Sequence, residues 1–375
     1  MMARRDRVAY AELRALSGKM QQPAGNARMQ WPRRDGLLLR LTSGDGETGL
    51  GEASPLPGYS TETLDLCRER LQQLPWDALS FALGDGPLAL SAATERALAQ
   101  LPAAARCAAE TALLDLAAQR RGLPLATLLR GEPPAQVAVS ALLSGENPAA
   151  VLESAQAAVG RGFTVLKLKL GRPDGAGWEL AALRLLRQQL GPAIGLRLDA
   201  NRSWSLAEAR ERLPPLAELR PELIEEPLAD VRELLRLRTP VPIALDESLQ
   251  HLAPAPELVP LLAAGAVQAL VLKPMALGGP LRCLQLARLG QTYGIPSLVT
   301  HLFDGTVALA AAAAVALALP RSLPCGLDAH AGLALGPDAA LSFVGAPQLP
   351  PIERPGLGIT LTAAQLPAPR LWSTE

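Results

Sequence analysis

The chain has 375 residues and carries 36 basic against 36 acidic side chains, so its formal net charge is zero. Hydrophobic residues make up 49% and charged residues 19%, which is typical of a globular protein with a large core and excludes a largely disordered chain. Neutrality also argues against nucleic acid as a partner, because binding phosphates requires clustered positive charge.

The first 130 residues predict an α+β module. Leu37–Thr42 and Gly49–Ala53 have strand-like patterns and are joined by a tight turn, Ser43-Gly44-Asp45-Gly46. Helices are predicted at Thr61–Gln73 and Ala104–Arg121.

From about residue 136, short apolar runs alternate with Ala- and Leu-rich helical segments. The predicted strands are Val137–Leu143, Thr164–Leu170, Ile194–Ala200, Glu222–Glu226, Pro242–Asp246, Val267–Lys273, Ser297–His301 and Leu323–Asp328. Helices are predicted between them at Trp178–Leu190, Leu206–Leu219 and Gly279–Gly290. Eight such βα units favour a closed parallel barrel. An open doubly wound sheet is the alternative, but it should carry a glycine-rich phosphate turn after its first strand, and Ser144–Pro148 has none.

The tail is rich in Pro and contains one further predicted strand, Gly358–Thr362, which we expect to return to the N-terminal module. The sequence therefore predicts three parts: the α+β module over residues 1–130, a barrel over 131–345, and a C-terminal segment over 346–375.

Several features predict a cytoplasmic protein that is not associated with a membrane. The N-terminus has basic residues but no apolar segment typical of a signal peptide. The most apolar stretch, Val307–Leu319, is too short to span a bilayer and predicts a packed helix. The four cysteines are scattered and predict buried thiols: Cys67, Cys107, Cys283 and Cys325.

Lysine is rare in this chain. Of the 36 basic residues, 32 are Arg and four are Lys, at Lys19, Lys167, Lys169 and Lys273. A coding preference for Arg explains the surface, but it does not explain why three of the four lysines lie at the ends of strand-like runs. A buried Lys can lose its proton, whereas Arg stays protonated. Lys167, Lys169 and Lys273 are therefore candidates for proton transfer.

The ends of successive predicted strands carry charged residues, and in a βα barrel these ends form the active site. Alternation along the second strand puts Lys167 and Lys169 on one face. The sixth strand ends in Lys273. The three strands between them each end in an acid: Asp199, Glu225 and Asp246.

Three crowded carboxylates repel one another, and a divalent cation resolves that repulsion. Oxygen donors without His or Cys favour Mg²⁺ over zinc, with Mn²⁺ as an alternative. A small-molecule substrate held on the metal would have an amine on each face, an arrangement that suits removal of a proton α to a carboxylate. Single acids at strand ends are often helix caps, and we assign Glu226 and Glu247 to such supporting roles.

The motifs Lys-x-Lys, Asp-x-Asn, Glu-Glu-Pro, Asp-Glu-Ser and Lys-Pro, in this order over nearly the whole chain, resemble the enolase superfamily in its muconate lactonizing enzyme-like branch. The resemblance implies an α/β fold, a modified TIM barrel of the (β/α)7β type, with an N-terminal capping domain completed by the C-terminal segment. It implies an acid/base role for Lys169, a polarising role for Lys167, and a place on the opposite face for Lys273. The implied Mg²⁺ ligands are Asp199, Glu225 and Asp246.

Within that branch, three segments resemble the o-succinylbenzoate synthase family: Gly49–Ser60 followed by Glu62-Thr63, then Arg197–Trp204, and Thr300–Thr306. The third departs from the family's Ser-Ser-x-x-Glu-Ser-Ser pattern, with Thr and His for the serines, Asp for Glu and Gly for Ser. The substrate contacts inferred from these segments are Arg197, Asn201, Ser54, Tyr59, Thr300 and Gly305. Gly305 would open a helix whose N–H groups bind a carboxylate, and His301 is left open between a core and a functional role.

The implied reaction is loss of water from 2-succinyl-6-hydroxy-2,4-cyclohexadiene-1-carboxylate, through an enediolate, in menaquinone biosynthesis. A dipeptide epimerase or N-acylamino acid racemase would use both lysines as bases, and a cycloisomerase would use the same metal site. Related epimerases hold the substrate ammonium with Asp-x-Asp, where this chain has Asp328-Ala329-His330. A barrel that binds without turnover would show a damaged site, and a sugar-binding barrel would need more aromatics than 3%. The oligomeric state stays open.

Overall fold

The computed structural model describes residues 6–25, 30–83, 89–171, 177–252, 256–330 and 341–374. The N-terminal part contains a four-stranded antiparallel sheet in the order β13-β1-β2-β3. Its strands are β1 (Val8–Gly25), β2 (Gln30–Ser43), β3 (Thr48–Ala53) and, from the far end of the chain, β13 (Arg370–Ser373). The predicted hairpin is confirmed, since β2 and β3 pair across the expected turn. The long strand β1 was not predicted.

Four helices accompany this sheet: α1 (Leu64–Gln72), α2 (Ala92–Leu98), α3 (Ala103–Arg120) and α4 (Leu125–Arg130). Helix α3 lies directly against β3 at two glycines. A Cβ atom on Gly49 or Gly51 would lie 2.2 or 2.0 Å from a backbone oxygen of α3, so only glycine permits this approach. Because side chains alternate along a strand, Glu52 points to the other side of β3, where the barrel lies.

The second part contains a seven-stranded parallel sheet in the order β11-β10-β9-β8-β7-β6-β5. Its strands are β5 (Ala141–Leu142), β6 (Val165–Lys169), β7 (Gly195–Asp199), β8 (Leu223–Glu225), β9 (Ile243–Leu245), β10 (Ala269–Leu272) and β11 (Ser297–Val299). The helices are α5 (Pro148–Gly160), α6 (Glu179–Leu190), α7 (Leu206–Ala217), α8 (Leu249–Leu252), α9 (Val259–Ala263), α10 (Pro274–Leu277), α11 (Pro280–Thr292) and α12 (Thr306–Ala318). The order of predicted βα units is confirmed, and parallel strands in this order bring all their carboxyl ends to one rim.

The eighth predicted strand is present only as isolated parallel bridges. Ser322 and Gly326 bridge to the seventh strand region at Ser297 and Thr300, and Cys325 bridges to Val139 near the first. These contacts close the sheet into a barrel. The prediction of a regular strand over Leu323–Asp328 is therefore wrong, although the segment occupies the expected place.

The strand that completes the N-terminal sheet is also displaced from its predicted position. Gly356 and Gly358 adopt positive φ angles of 67° and 74°, which turn the backbone and prevent an extended run over Gly358–Thr362. The strand forms instead at β13, which pairs antiparallel with β1. A short antiparallel pair, β4 (Val137–Ala138) with β12 (Gln348–Leu349), ties the same tail to the start of the barrel.

Helix α12 confirms the prediction of a packed apolar helix, since all of its residues are buried. Within the described ranges, no helix combines the length and apolar character needed to cross a membrane. The four cysteines are buried and free, as the sequence predicted.

Candidate active site

A cavity of about 750 Å³, part of it open to solvent, lies at the carboxyl ends of the barrel strands. Its lining combines strand-end residues with three residues of the N-terminal part, Trp31, Leu56 and Tyr59. The N-terminal part therefore covers the mouth of the barrel and acts as a capping domain.

Three carboxylates meet on this rim, as the order of strands predicted. Asp199 ends β7, Glu225 ends β8, and Asp246 follows β9. Asp199 and Glu225 are register partners in adjacent strands. Each of the three offers an oxygen within 4.8 Å of the others, and all are at most 2% exposed.

These carboxylates fit a divalent cation. Burial raises the pKa of Glu225 to about 7, and the charges of Asp199 and Asp246 add to that rise against the lowering by Lys167. A cation at the centre would remove this repulsion, and an all-oxygen donor set is the kind that Mg²⁺ prefers. Asp199, Glu225 and Asp246 are thus the residues that would hold Mg²⁺.

Two lysines are paired with the acids. Lys167 Nζ lies 2.9 Å from Asp199 and also donates to Glu225. Burial acts to lower the pKa of Lys167, but the carboxylates of Asp199, Glu225 and Asp246 outweigh it and raise that pKa. Lys273 donates to Asp246 at 2.6 Å, and it also contacts the hydroxyl oxygen of Tyr59 at 2.9 Å. Both amines therefore stay protonated in this arrangement.

Lys169 has a different environment. Its Nζ lies 5.5 Å from the ring centre of Phe303. Burial lowers the pKa of Lys169 to about 8, and the positive charges of Lys167 and Lys273 lower it further against the pull of Asp199. Of the three cavity lysines, Lys169 is the one that can act as a base near neutral pH.

Glu226 and Glu247, each next in sequence to a proposed Mg²⁺ ligand, hydrogen-bond to the loops that follow the barrel strands. Glu226 accepts the N–H groups of Asp246 and Ser248 at 2.7 and 2.9 Å and the Ser248 hydroxyl at 2.8 Å, so it holds the turn that presents Asp246. Glu247 accepts a hydrogen bond at 2.9 Å from the side-chain amide of Asn201. These contacts agree with the supporting roles predicted for Glu226 and Glu247.

Three of the six predicted substrate contacts line the cavity. Asn201 and Thr300 do so from the ends of the third and seventh strands, and Tyr59 does so from the capping domain. The Tyr59 hydroxyl donates to Asp246 at 3.1 Å, which places it between the acid rim and Lys273. Their contact with substrate stays a prediction.

The other three predicted contacts lie elsewhere. The Gly305 N–H donates to Glu52 at 2.7 Å, so it is not free to bind a substrate carboxylate as the sequence predicted. Ser54 is fully buried and donates to the same carboxylate at 2.6 Å. Arg197 points into the barrel below the rim, where it binds Glu222 at 2.9 Å and the backbone oxygen of Pro324. Placing Arg197 as a substrate contact is not supported by these bonds.

His301, Phe303 and His330 form an aromatic wall that the sequence did not predict and that lines the cavity together with the lysines. The rings of His301 and His330 stack at 3.9 Å, and Phe303 lies 5.9 and 6.0 Å from them. Trp31 packs on Phe303 at 5.9 Å. One signal could have revealed part of this wall: the chain has only three histidines, and two of them follow the last two barrel strands.

Both histidines of the wall are neutral. Burial lowers the pKa of His330 to about 3 and holds the pKa of His301 well below its usual range. His301 Nδ1 accepts the N–H of Phe303 at 3.0 Å, which assigns its proton to Nε2. The nearby carboxylate of Asp328 is paired with Arg161 at 3.2 Å. Among the described residues that line this side of the cavity, Asp328 is the acidic one, and it is engaged in this ion pair.

Comparisons with known proteins agree with this geometry. A family profile described as "Enolase C-terminal domain-like" matches residues 150–365, and one described as "MenC, N-terminal domain" matches residues 25–80. The L-Lys-D/L-Arg epimerase of Methylococcus capsulatus is 31% identical over 94% of this chain and 99% of its own. The o-succinylbenzoate synthase of Yersinia pseudotuberculosis is 32% identical over 79% of this chain and 82% of its own. A crystal structure of the dipeptide epimerase of Enterococcus faecalis V583 with Mg and L-Leu-L-Tyr superposes with a TM-score of 0.82 at 27% identity, covering 95% of this chain and 100% of that one.

Proposed function

The chain belongs to the enolase superfamily, whose fold and Mg²⁺-dependent site it shares, and from this premise we propose that it is an o-succinylbenzoate synthase. The substrate, 2-succinyl-6-hydroxy-2,4-cyclohexadiene-1-carboxylate, carries two carboxylates and no ammonium. The observation that carries the proposal is the neutral aromatic wall of His301, Phe303 and His330, together with the pairing of Asp328 to Arg161. Among the described residues of this wall a substrate ammonium would find no unpaired carboxylate, which favours an anionic, partly flat substrate over a dipeptide. The profile match over residues 25–80 supports the same assignment.

The three lysines have different roles in the proposed reaction, because their environments differ. Lys169, with its lowered pKa, removes the proton α to the ring carboxylate and then returns a proton to the departing hydroxyl, so that one water leaves. Lys167, held by Asp199 and Glu225, polarises the substrate carboxylate. Lys273 stays protonated beside Asp246 and stabilises the enediolate as a cation. When bound, Mg²⁺ neutralises negative charge that develops on that carboxylate.

A dipeptide epimerase is the second candidate, because the relative from Methylococcus capsulatus matches 94% of the chain. In that reaction Lys273 would have to serve as a base on the opposite face from Lys169. The contacts of its Nζ atom with Asp246 at 2.6 Å and with the Tyr59 hydroxyl at 2.9 Å favour the cationic role instead. We also propose a cytoplasmic location, which the four free, buried cysteines support.

A direct assay tests the proposal. Purified protein with Mg²⁺ and the cyclohexadiene substrate should form an aromatic product that is followed in the ultraviolet, and Lys169→Arg should abolish its formation. A panel of dipeptides and N-acylamino acids, read by loss of optical rotation, tests the second candidate. Folded, metal-binding protein that dehydrates nothing would refute the synthase assignment.

A further inference from the structure

A buried carboxylate of the capping domain caps a helix of the barrel. Glu52, at the end of β3, is 1% exposed. Its two carboxylate oxygens accept the N–H groups of Gly305 at 2.7 Å and Ala308 at 3.1 Å. Helix α12 has no side-chain cap of its own, since its N-cap residue is Gly305. A carboxylate at this position also interacts favourably with the helix dipole.

An arginine of the capping domain holds the turn that precedes the same helix. Arg34, in β2, is 1% exposed and donates from Nε to the backbone oxygen of Phe303 at 3.3 Å. Its other nitrogens donate to the backbone oxygens of Ser54 and Pro55, next to Glu52. Arg34 thus joins the strand that carries Glu52 to the turn that carries Phe303.

The turn needs such support because its backbone is strained. Phe303 has a φ angle of 55°, in the left-handed region that non-glycine residues seldom adopt. A residue stays in this conformation only where its surroundings hold it. Here three bonds do so: Arg34 to the Phe303 oxygen, Phe303 N–H to His301, and Gly305 N–H to Glu52.

We propose that Glu52 and Arg34 are positioning residues that fix the turn over residues 302–305 and thereby keep the Phe303 ring over Lys169. Neither side chain lines the cavity, so both act through Phe303. The inference rests on the proposed function only in taking Lys169 as the base. It also explains why the Gly305 N–H group cannot serve a substrate: the capping domain already uses it to dock on the barrel.

The matched experiment compares Glu52→Gln with Asp115→Asn. Asp115, in α3, is also fully buried and accepts two backbone N–H groups, from Leu50 and Leu357, both at 2.9 Å, but neither belongs to the barrel mouth. Each variant replaces one buried carboxyl group by an amide of the same size. At a temperature where both are folded, we expect kcat to fall on the order of tenfold in Glu52→Gln and to stay unchanged in Asp115→Asn. In hydrogen exchange read by mass spectrometry, the peptide over residues 300–309 should exchange faster in Glu52→Gln alone.

The exchange measurement keeps the two proposals separate. Unchanged exchange over 300–309 in Glu52→Gln overturns the positioning role, whatever the activity, and so does faster exchange with an unchanged kcat. If the wild type turns over no substrate, the proposed function fails while exchange still decides whether the turn is held. Should Glu52→Gln not fold, Arg34→Lys takes its place, since it keeps the charge but loses the Nε bond to Phe303. A Phe303→Leu double-mutant cycle should then show non-additive losses of kcat, and additive losses would contradict the inference.

Discussion

The cavity has two halves that differ in origin and in charge. The strand-end half consists of four residues that line the cavity, Lys167, Lys169, Asp199 and Lys273, together with Glu225 and Asp246, whose carboxylates meet that of Asp199. The covering half consists of aromatic side chains from the capping domain and from the last two barrel units, Trp31, Tyr59, His301, Phe303 and His330. The strand-end half is densely charged, whereas the rings of the covering half are neutral. In the proposed function the strand-end half would perform the proton chemistry, while the covering half would select the substrate and exclude water.

The largest expected effect comes from removing the metal. Treatment with EDTA should abolish turnover, because the three buried carboxylates would repel one another and the cation that would neutralise charge developing on the substrate would be lost. It should also lower the melting temperature, since Mg²⁺ at a hundredfold excess over its Kd contributes about 2.7 kcal/mol. Calorimetry with and without Mg²⁺ measures this. A melting temperature unaffected by Mg²⁺ would contradict the ligand assignment.

Next in size is the loss of the base. Lys169→Arg keeps the positive charge but cannot give up a proton near neutral pH, so we expect kcat to fall by about 10³-fold or more. Lys19→Arg makes the same change on an exposed strand position and is the matched control. Steady-state kinetics of the two variants measure the difference. Activity retained by Lys169→Arg would show that Lys169 is not the base.

A pH profile distinguishes Lys169 from Lys273. Lys169 must be neutral to accept a proton, and its pKa is lowered to about 8, so activity should rise with pH up to that value and level off above it. Bound Mg²⁺ adds positive charge beside Asp199 and moves the midpoint lower. We expect no second ascending limb of activity from Lys273, because its ammonium contacts Asp246 at 2.6 Å and acts as a cation in the proposed reaction. A midpoint clearly above 8, or a second ascending limb, would argue that another group is the base.

The strand-end half could be predicted from the sequence, because the carboxyl ends of successive parallel strands lie on one rim of a βα barrel. Each residue lies at the end of a parallel strand, and adjacent strands in chain order put Asp199 beside Glu225 in register. The same local logic predicted Gly49–Ala53 and the packed helix that begins near Val307. It failed where regular hydrogen bonding was absent, as in the eighth strand, which is reduced to bridges at Ser322, Cys325 and Gly326.

The covering half could not be predicted, because its contacts join distant parts of the chain. Trp31 meets Phe303 only after the capping domain has docked. The Gly305 N–H group appeared available for a substrate because its partner, Glu52, lies far away in the sequence. A helix opening with no side-chain cap predicts only that some acceptor is required, and here the fold supplies it from another domain.

The smallest expected effect tests selection by the covering half. His330→Asp places a negative charge where a neutral ring now stacks on His301 at 3.9 Å. Repulsion of a dianionic substrate should raise KM by about tenfold, equivalent to about 1.4 kcal/mol, with a smaller change in kcat, because His330 belongs to the covering half, where its ring stacks on His301, and not to the group of strand-end lysines and acids. His251→Asp, on an exposed position of α8, is the matched control and should leave both constants unchanged.

The same variant also sharpens the boundary between the two candidate functions. An added carboxylate at residue 330 would give a substrate ammonium an unpaired partner beside Asp328, which is itself engaged by Arg161. Dipeptide epimerisation that appears or increases in His330→Asp, while dehydration weakens, would show that one neutral ring in the covering half separates the two activities. An unchanged KM together with an unchanged dipeptide profile would mean that selection lies elsewhere, with Trp31 and Tyr59 of the capping domain as the next side chains to vary.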